Sequence, residues 1–246
     1  MESHPFLSLV IPAYNESGRI GSTLKQMRAY LDAQPFSSEV VVADDGSTDD
    51  TASVVSAFFR EWPRGRLLTL PHKGKGFAVR TGMLAARGEY RFMADADLSM
   101  SIEQVNRFLP PHLTGYDIAL GSREAPGARR FGEPWLRRLQ GRAFHLYVSL
   151  LVVRGLRDTQ CGFKCFRGPV AQAIFPYLCL QGFGFDVEVL FLARRLGLRL
   201  VEVPVDWHYS RGSKLHPILN AISMAGEVLA VRWNALWGRY TGLPIP

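Results

Sequence analysis

The chain has 246 residues, a formal net charge of +7, 47% hydrophobic residues and 21% charged residues. That balance excludes a disordered or low-complexity chain, and the length suits one α/β domain with a full core. The charge asks for an acidic partner, whether a nucleotide, a nucleic acid or an anionic membrane surface. Cys161, Cys165 and Cys179 have neither zinc-ligand spacing nor the look of a disulfide framework, so reduced cytosolic thiols are expected. Met1-Glu-Ser-His-Pro5 lacks the basic and apolar regions of a signal peptide. No apolar run reaches the roughly 18 to 20 residues that a membrane span needs.

Leu7 to Pro12 is a short apolar run closed by proline, which predicts a central strand, with Ala13 to Ser17 as the loop after it. Ile20, Leu24, Met27 and Leu31 then fall at helical spacing. Val40 to Ala43 predicts a second buried strand that runs straight into Asp44-Asp45-Gly46-Ser47. Ser47 with Asp50 resembles a capping box, opening a helix to about Trp62. Arg66 to Leu70 predicts a third strand, and Lys73-Gly-Lys-Gly76 leads into an Ala-rich helix through Ala86. The Gly-x-Gly lacks the third glycine of a dinucleotide fingerprint and no P-loop signature follows it. Tyr90 to Ala94 is the fourth expected strand, a helix starts near Ser101, and Asp117 to Gly121 is the fifth strand.

Alternating strands and helices predict a parallel sheet whose ligands bind outside the carboxyl ends of its strands. Tyr14 to Glu16, Asp44-Asp45 and Asp95 to Asp97 should therefore converge. Asp95 and Asp97, one residue apart at a strand end, repel each other unless something positive sits between them. A hard cation, Mg²⁺ or Mn²⁺, held by one or two carboxylates and completed by water and substrate phosphates, would answer that, and a solvated loop is the other reading.

Beyond Gly121, residues Ser122 to Arg142 carry Arg123, Arg129, Arg130, Arg137, Arg138 and Arg142 against only Glu124 and Glu133. The nearly wholly apolar Ala143 to Val153 follows. This predicts either a core helix behind a solvated basic face or a basic loop and amphipathic helix lying on an anionic bilayer. A helix is expected from Pro169. Asp186 and Glu188 open another, where the helix dipole favours acids. Arg199 to Pro204 reads as a strand, Ser210 to Lys214 as a cationic loop, and Pro217 to Trp237 as a helix. Trp233 and Trp237 stand one turn apart on it, as core packing or as a membrane anchor.

Ile11-Pro-Ala-Tyr-Asn-Glu16, Asp44-Asp-Gly-Ser-Thr48, Gly74-Lys-Gly76 and Asp95-Ala-Asp97, in this order, resemble the family 2 glycosyltransferases. More narrowly, Asp95-Ala-Asp-Leu-Ser99, Gly121-Ser-Arg123, Arg157-Asp-Thr-Gln-Cys-Gly-Phe-Lys164 and Ser210-Arg-Gly-Ser-Lys-Leu215 resemble the polyprenyl-phosphate hexosyltransferases. Within that group the dolichyl-phosphate glucosyltransferases are nearest and the mannose synthases next. The resemblance implies a GT-A fold: a Rossmann-like, mostly parallel sheet flanked by helices, with C-terminal helices facing acceptor and membrane. One domain over 1–246 is expected, with 1–122 holding the nucleotide sugar and 123–246 the acceptor.

By the same resemblance, Pro12, Tyr14, Glu16, Asp44, Asp45, Lys75, Asp95 and Ala96 meet the donor. Asp95 and Asp97 hold Mg²⁺ or Mn²⁺ and the pyrophosphate, and Arg123, Arg137, Arg211 and Lys214 meet phosphates. The implied reaction is an inverting, metal-dependent transfer of a hexose to a dolichyl or undecaprenyl phosphate, with glucose from UDP-glucose foremost. The enzyme would lie on the cytoplasmic face of a membrane. Asp97 acts through the metal, while Asp158 is a candidate base or orienting group, or else a salt-bridge partner of one of the arginines. The Glu-Asp base and Gln-x-x-Arg-Trp signature of processive polysaccharide synthases are missing.

Two rivals remain. One is the same donor chemistry on a soluble or polysaccharide hydroxyl, which would need a base such as Asp186 or Glu188. The other is a basic nucleic-acid-binding module, which would interleave arginines with aromatics on one face. These arginines cluster beside an apolar helix instead, so no nucleic-acid partner is expected.

Overall fold

The computed structural model describes residues 4–209 and 217–243. Apolar, largely β-branched runs form β1 (Leu7–Ala13) and β2 (Ser38–Asp44), both buried almost throughout. β3 (Gly65–Thr69) pairs with β2 and β4 (Tyr90–Met93) pairs with β1, all in parallel. Helices α1 (Ser17–Asp32), α2 (Thr51–Glu61) and α3 (Lys75–Ala85) connect them. Side chains of a strand point alternately to its two faces. Leu7, Leu9 and Ile11 accordingly pack with Ile20, Leu24 and Met27 of α1 and with Val55 and Phe59 of α2. Val10 faces the other way, toward Val79 and Met83 of α3. Each fully buried Leu or Ile stabilises this arrangement by about 1.5 to 3 kcal/mol.

After β5 (Ile118–Ser122) and a short outlying strand β6 (Arg129–Phe131), the chain departs from a purely parallel sheet. β7 (Lys164–Arg167) inserts between β4 and β5, antiparallel to both, and β8 (Leu200–Pro204) pairs in parallel with β5 at the edge. Among the described residues the strand order is β3-β2-β1-β4-β7-β5-β8, and β9 (Asp206–His208) forms a separate ribbon with β6. Helices α4 (Trp135–Leu151), α5 (Gly168–Ile174), α6 (Phe185–Arg195) and α7 (Pro217–Leu236) complete the chain. Hydrophobic periodicity passes over β7 because Lys164 interrupts its apolar run. That lysine is nevertheless buried, its ammonium donating to Asp186 Oδ1 at 2.7 Å and to the Cys161 carbonyl at 2.6 Å.

Three local expectations are corrected. Ser47 and Asp50 form no capping box: α2 starts at Thr51 and Asp50 makes no side-chain cap bond. The Ser47 hydroxyl instead donates to the Asp44 carboxylate and accepts the Asn15 N–H. The helix expected near Ser101 is a 3-10 helix, Ile102–Phe108. Residues 143–153 are no core helix, since α4 begins at Trp135 and buries only Val148 among its 17 residues.

Candidate active site

The loops that leave β1 to β4 lie at one sheet edge and are tied to one another in sequence. Asn15 takes the backbone N–H of Thr48 on its Oδ1 at 2.7 Å, and Glu16 N–H reaches the Thr51 hydroxyl at 2.7 Å, joining the first loop to the second. Asp45 accepts the N–H groups of Lys73 at 2.9 Å and Gly74 at 2.8 Å, and faces His72 Nδ1 at 2.8 Å, joining the second loop to the third. Lys75 Nζ meets Asp95 Oδ1 at 2.6 Å, joining the third to the fourth. Asp44 and Asp45 are thus buried and engaged, and the exposed surface here is an aromatic pair, Tyr14 stacked on His72 with centroids 4.1 Å apart.

Of the other expected donor residues, Pro12 sits in β1 beside Ala43, and Glu16 is ion-paired with Arg19 at 2.7 Å. Ala96 is buried, its carbonyl accepting the Thr23 hydroxyl at 2.6 Å.

Asp95 and Asp97 differ sharply. Burial opposes ionisation of Asp95, but Lys75, with Lys164 and Arg123 beyond it, holds its pKa below the usual carboxylate range. Burial likewise works against the Lys75 ammonium, and Asp95, helped by Asp186 and Asp97, more than offsets it, so its pKa rises. Gly162, on the approach to β7, is where this packing is tightest: a Cβ there would overlap the Asp95 carboxylate. Asp97 is exposed, its Oδ1 accepting the Ser99 N–H at 3.0 Å. The intervening Leu98 is held at φ 44°, a left-handed conformation that costs a branched residue about 1 to 3 kcal/mol and turns the loop between the two acids.

A cleft of about 800 Å³ opens beside this edge, lined by Arg123, Arg137, Asp158, Trp207 and Tyr209 among others. Arg123 makes a two-pronged contact to Asp158, Nε to Oδ2 at 2.7 Å and Nη2 to Oδ1 at 3.0 Å, and its backbone N–H adds a third bond. Burial alone would raise the Asp158 pKa, but Arg123 holds it well below the ordinary range. The carboxylate is therefore fixed as a partner of Arg123 rather than standing as a free base. Arg137 has no carboxylate partner among the described residues, and its guanidinium lies over the Tyr209 ring at 5.1 Å. Arg211 and Lys214 lie outside the described residues.

A family model described as "Glycosyl transferase family 2" matches residues 8–175, which include every loop of the donor edge. The chain belongs to glycosyl transferase family 2. It is similar to the dolichyl-phosphate beta-glucosyltransferases of Dictyostelium discoideum, at 37% identity over 95% of this chain and 76% of the relative, and of Saccharomyces cerevisiae, at 35% over 96% and 76%. The Homo sapiens protein of the same name is 34% identical over 95% of this chain and 77% of its own.

Among solved structures, glucosyl-3-phosphoglycerate synthase from Mycobacterium tuberculosis with Mn²⁺, UDP and phosphoglyceric acid superposes with a TM-score of 0.69 at 21% identity. The match covers 98% of this chain and 80% of that one. The fold is GT-A, and divalent metal with UDP is found in neighbours of this fold.

Within this glycosyltransferase, the carboxylates that a hydroxyl acceptor would need as a base are committed elsewhere. Asp186 is buried against Lys164. Glu188 is fully buried, accepting the Tyr240 hydroxyl at 2.6 Å and the N–H groups of Cys179 and Leu180, each at 2.9 Å. Sequence reasoning missed His72, Gly162 and Lys164. The Gln-Cys-Gly-Phe-Lys run that contains the last two carries the family resemblance, but its sequence assigns no role to either residue.

The arginine-rich stretch is also less basic than its composition. Arg123, Arg129, Arg130 and Arg142 are ion-paired to Asp158, Asp206, Glu124 with Glu133, and Glu124 respectively. Beside the exposed Arg138, Gln140 and Arg142, α4 exposes large apolar side chains, Trp135, Leu139, Leu146 and Leu150; α7 exposes Leu229, Trp233 and Leu236, with Trp237 just past its end. The two helices pack together, Tyr147 donating to the Ala225 carbonyl at 3.0 Å. Among the described residues no helix is long and apolar enough to cross a membrane.

Proposed function

We propose that this glycosyltransferase moves glucose from a nucleoside diphosphate sugar, foremost UDP-glucose, to the phosphate of a dolichyl or related polyprenyl phosphate. The supporting observation is the cleft that gathers Arg123, Arg137 and Asp158 next to the exposed apolar face of α4, because a lipid phosphate offers one group to each. Relatives at 34 to 37% identity bear names that point the same way. In this reading residues 1–122 serve the donor and 123–246 the acceptor. Tyr14, His72 and the Asp44-Asp45 loop receive the nucleoside, and Lys75, Asp95 and Asp97 meet the pyrophosphate.

The donor set suits Mg²⁺ or Mn²⁺: Asp97 is an exposed carboxylate, with Asp95 two residues before it. Hard cations are commonly held by one or two carboxylates beside substrate phosphates. Among the described residues no group of three or more His, Cys, Asp or Glu side chains is gathered, so phosphate and water would complete the shell. When bound, the cation supplies positive charge against the departing diphosphate.

Arg123, oriented by Asp158, and Arg137 hold the acceptor phosphate by charge-assisted hydrogen bonds. One phosphate oxygen forms the new bond to the anomeric carbon as the bond to the diphosphate breaks, with inversion. A phosphate monoester has its second pKa near about 6 and is largely dianionic at neutral pH, so no base has to remove a proton. Asp158 is thereby free to act as a positioning residue. The protein attaches to the cytoplasmic face of the membrane through the exposed faces of α4 and α7.

The test is turnover of UDP-glucose, with UDP-galactose and GDP-mannose as comparators, on a short polyprenyl phosphate in the presence of Mg²⁺ or Mn²⁺, followed by product mass. Asp97→Asn should lower kcat by about 10² to 10³-fold, the cost of losing one electrostatic stabiliser, with the circular dichroism spectrum unchanged. Excess chelator should do the same to the wild type. Full activity of Asp97→Asn would remove the metal role, and preference for an uncharged polyprenol would remove the acceptor assignment.

A further inference from the structure

At the end of α4 remote from the acceptor cleft lies a second groove, about 400 Å³, lined by residues 149–154 together with Arg194 and Arg232. Its three cations are Arg154, Arg194 and Arg232, and none of its lining residues is acidic. Among the described residues none of the three makes an ion pair; Arg194 only donates to the Arg154 carbonyl at 3.4 Å. The carbonyl end of α4 is negative, but a helix terminus carries only about half an elementary charge, against three guanidiniums. A net positive hollow is left over.

The groove opens on the apolar face. Leu150, 63% exposed, forms part of its wall. On α7, Arg232 stands three residues after Leu229 and four before Leu236, so helical spacing puts it on the same side as those exposed leucines. A guanidinium at the edge of an apolar strip matches the depth at which a phosphate lies beneath its acyl chains. Arg137 lines the acceptor cleft near the start of α4, Leu151 lines the groove at its end, and a helix rises about 1.5 Å per residue. One phosphate held by Arg137 is therefore roughly 20 Å along α4 from the groove, too far to be held by both.

We propose that Arg154, Arg194 and Arg232 bind the phosphate headgroup of an anionic membrane lipid other than the acceptor. This site holds the far end of α4 and α7 flat on the surface while Arg137 engages the acceptor at the near end. The inference rests on the proposed membrane attachment and adds a specific headgroup contact to it.

The experiment compares wild type with the triple variant R154Q/R194Q/R232Q by flotation on phosphatidylglycerol and on phosphatidylcholine vesicles at low salt. All three side chains are exposed, so melting temperature and UDP affinity should not change. Binding to phosphatidylglycerol should fall about tenfold to a hundredfold in the variant, while binding to phosphatidylcholine, which depends on the apolar strip, should stay the same.

An unchanged phosphatidylglycerol preference would overturn the site and leave membrane attachment standing. Failure of the wild type to bind either vesicle would overturn both, while glucosyl transfer in detergent would still be judged separately. Calorimetry with glycerol 3-phosphate and with inorganic phosphate, in the absence of vesicles, distinguishes the source of the anion. Saturable binding lost in the variant would assign the groove to a soluble phosphate and overturn the lipid assignment.

Discussion

The donor edge and the α4–α7 face solve opposite problems. At the donor edge the polar side chains are satisfied by the protein itself: Asn15, Asp45 and Lys75 each tie one loop to the next, Asp44 holds Ser47 within its own loop, and Asp95 closes the series. The α4–α7 face leaves large apolar side chains in water, with Leu236 82% exposed and Trp135 77%. Monomeric proteins seldom leave such contiguous apolar surface without a use for it. The contrast teaches that the first region is pre-organised for a small, highly charged ligand, whereas the second is incomplete until something apolar covers it. The acceptor cleft, lined by Arg123, Arg137 and Asp158 and by residues of α4, lies at their junction.

The contrast breaks most severely at the buried ion pair that backs the donor edge, since Asp186 and Lys164 act on Lys75 and Asp95. Asp186→Leu removes the carboxylate facing the buried Lys164 ammonium, and an uncompensated buried charge should cost about 3 to 5 kcal/mol in urea denaturation. Combining it with Lys164→Met should recover most of that loss. If the single variant is as stable as wild type, the buried Lys164–Asp186 pair does not hold β7 as the geometry implies.

An intermediate effect is expected at the junction. Arg137→Ala should lower kcat/KM for a polyprenyl phosphate roughly ten- to a hundredfold, about 1.5 to 3 kcal/mol for a charge-assisted contact, with calorimetric UDP affinity nearly unchanged. The pH profile sharpens the same point. Asp158 titrates below its unfolded value of about 3.9, so its stabilising contribution is full above that pH and is lost only as pH falls toward the lower, folded value. The acid limb of acceptor turnover should therefore follow the acceptor phosphate, near about pH 6, and stay there in Asp158→Asn even as the rate drops. A limb that moved with this substitution would restore Asp158 as a base.

The smallest change in stability belongs to the exposed face. Leu146→Ser with Leu150→Ser should alter unfolding free energy by no more than about 0.5 kcal/mol each, since neither side chain is buried. Partitioning onto phosphatidylcholine vesicles should nonetheless weaken at least about tenfold, as two leucines no longer leave water. Loss of stability without loss of partitioning would mean that this surface packs within the protein rather than outside it.

Local pattern was enough for the first half of the chain. The runs in β1 and β2 are largely apolar, Phe92 to Ala94 carries the apolar signal of β4 past Arg91, helical spacing in α1 is regular, and the acids follow the strands directly, so strand direction alone sent Asp44, Asp45, Asp95 and Asp97 to one edge. The motifs of the same half carried the family.

What sequence could not supply were the partners of charged residues, because a charge is legible in a chain but its neutralisation is not. Lys164 reads as a break in an apolar run until Asp186, 22 residues later, is brought to 2.7 Å, and only then does β7 exist as a buried strand. Six arginines between Ser122 and Arg142 read as one basic surface until Asp158, Asp206, Glu124 and Glu133 pair with four of them, leaving Arg137 and Arg138 without ion pairs among the described residues. Arg154, Arg194 and Arg232 are scattered over 79 positions and carry no motif. Tertiary structure alone decided that they line one groove, because α7 packs against both α4 and α6 and brings distant turns together, and no local periodicity records which turns those are.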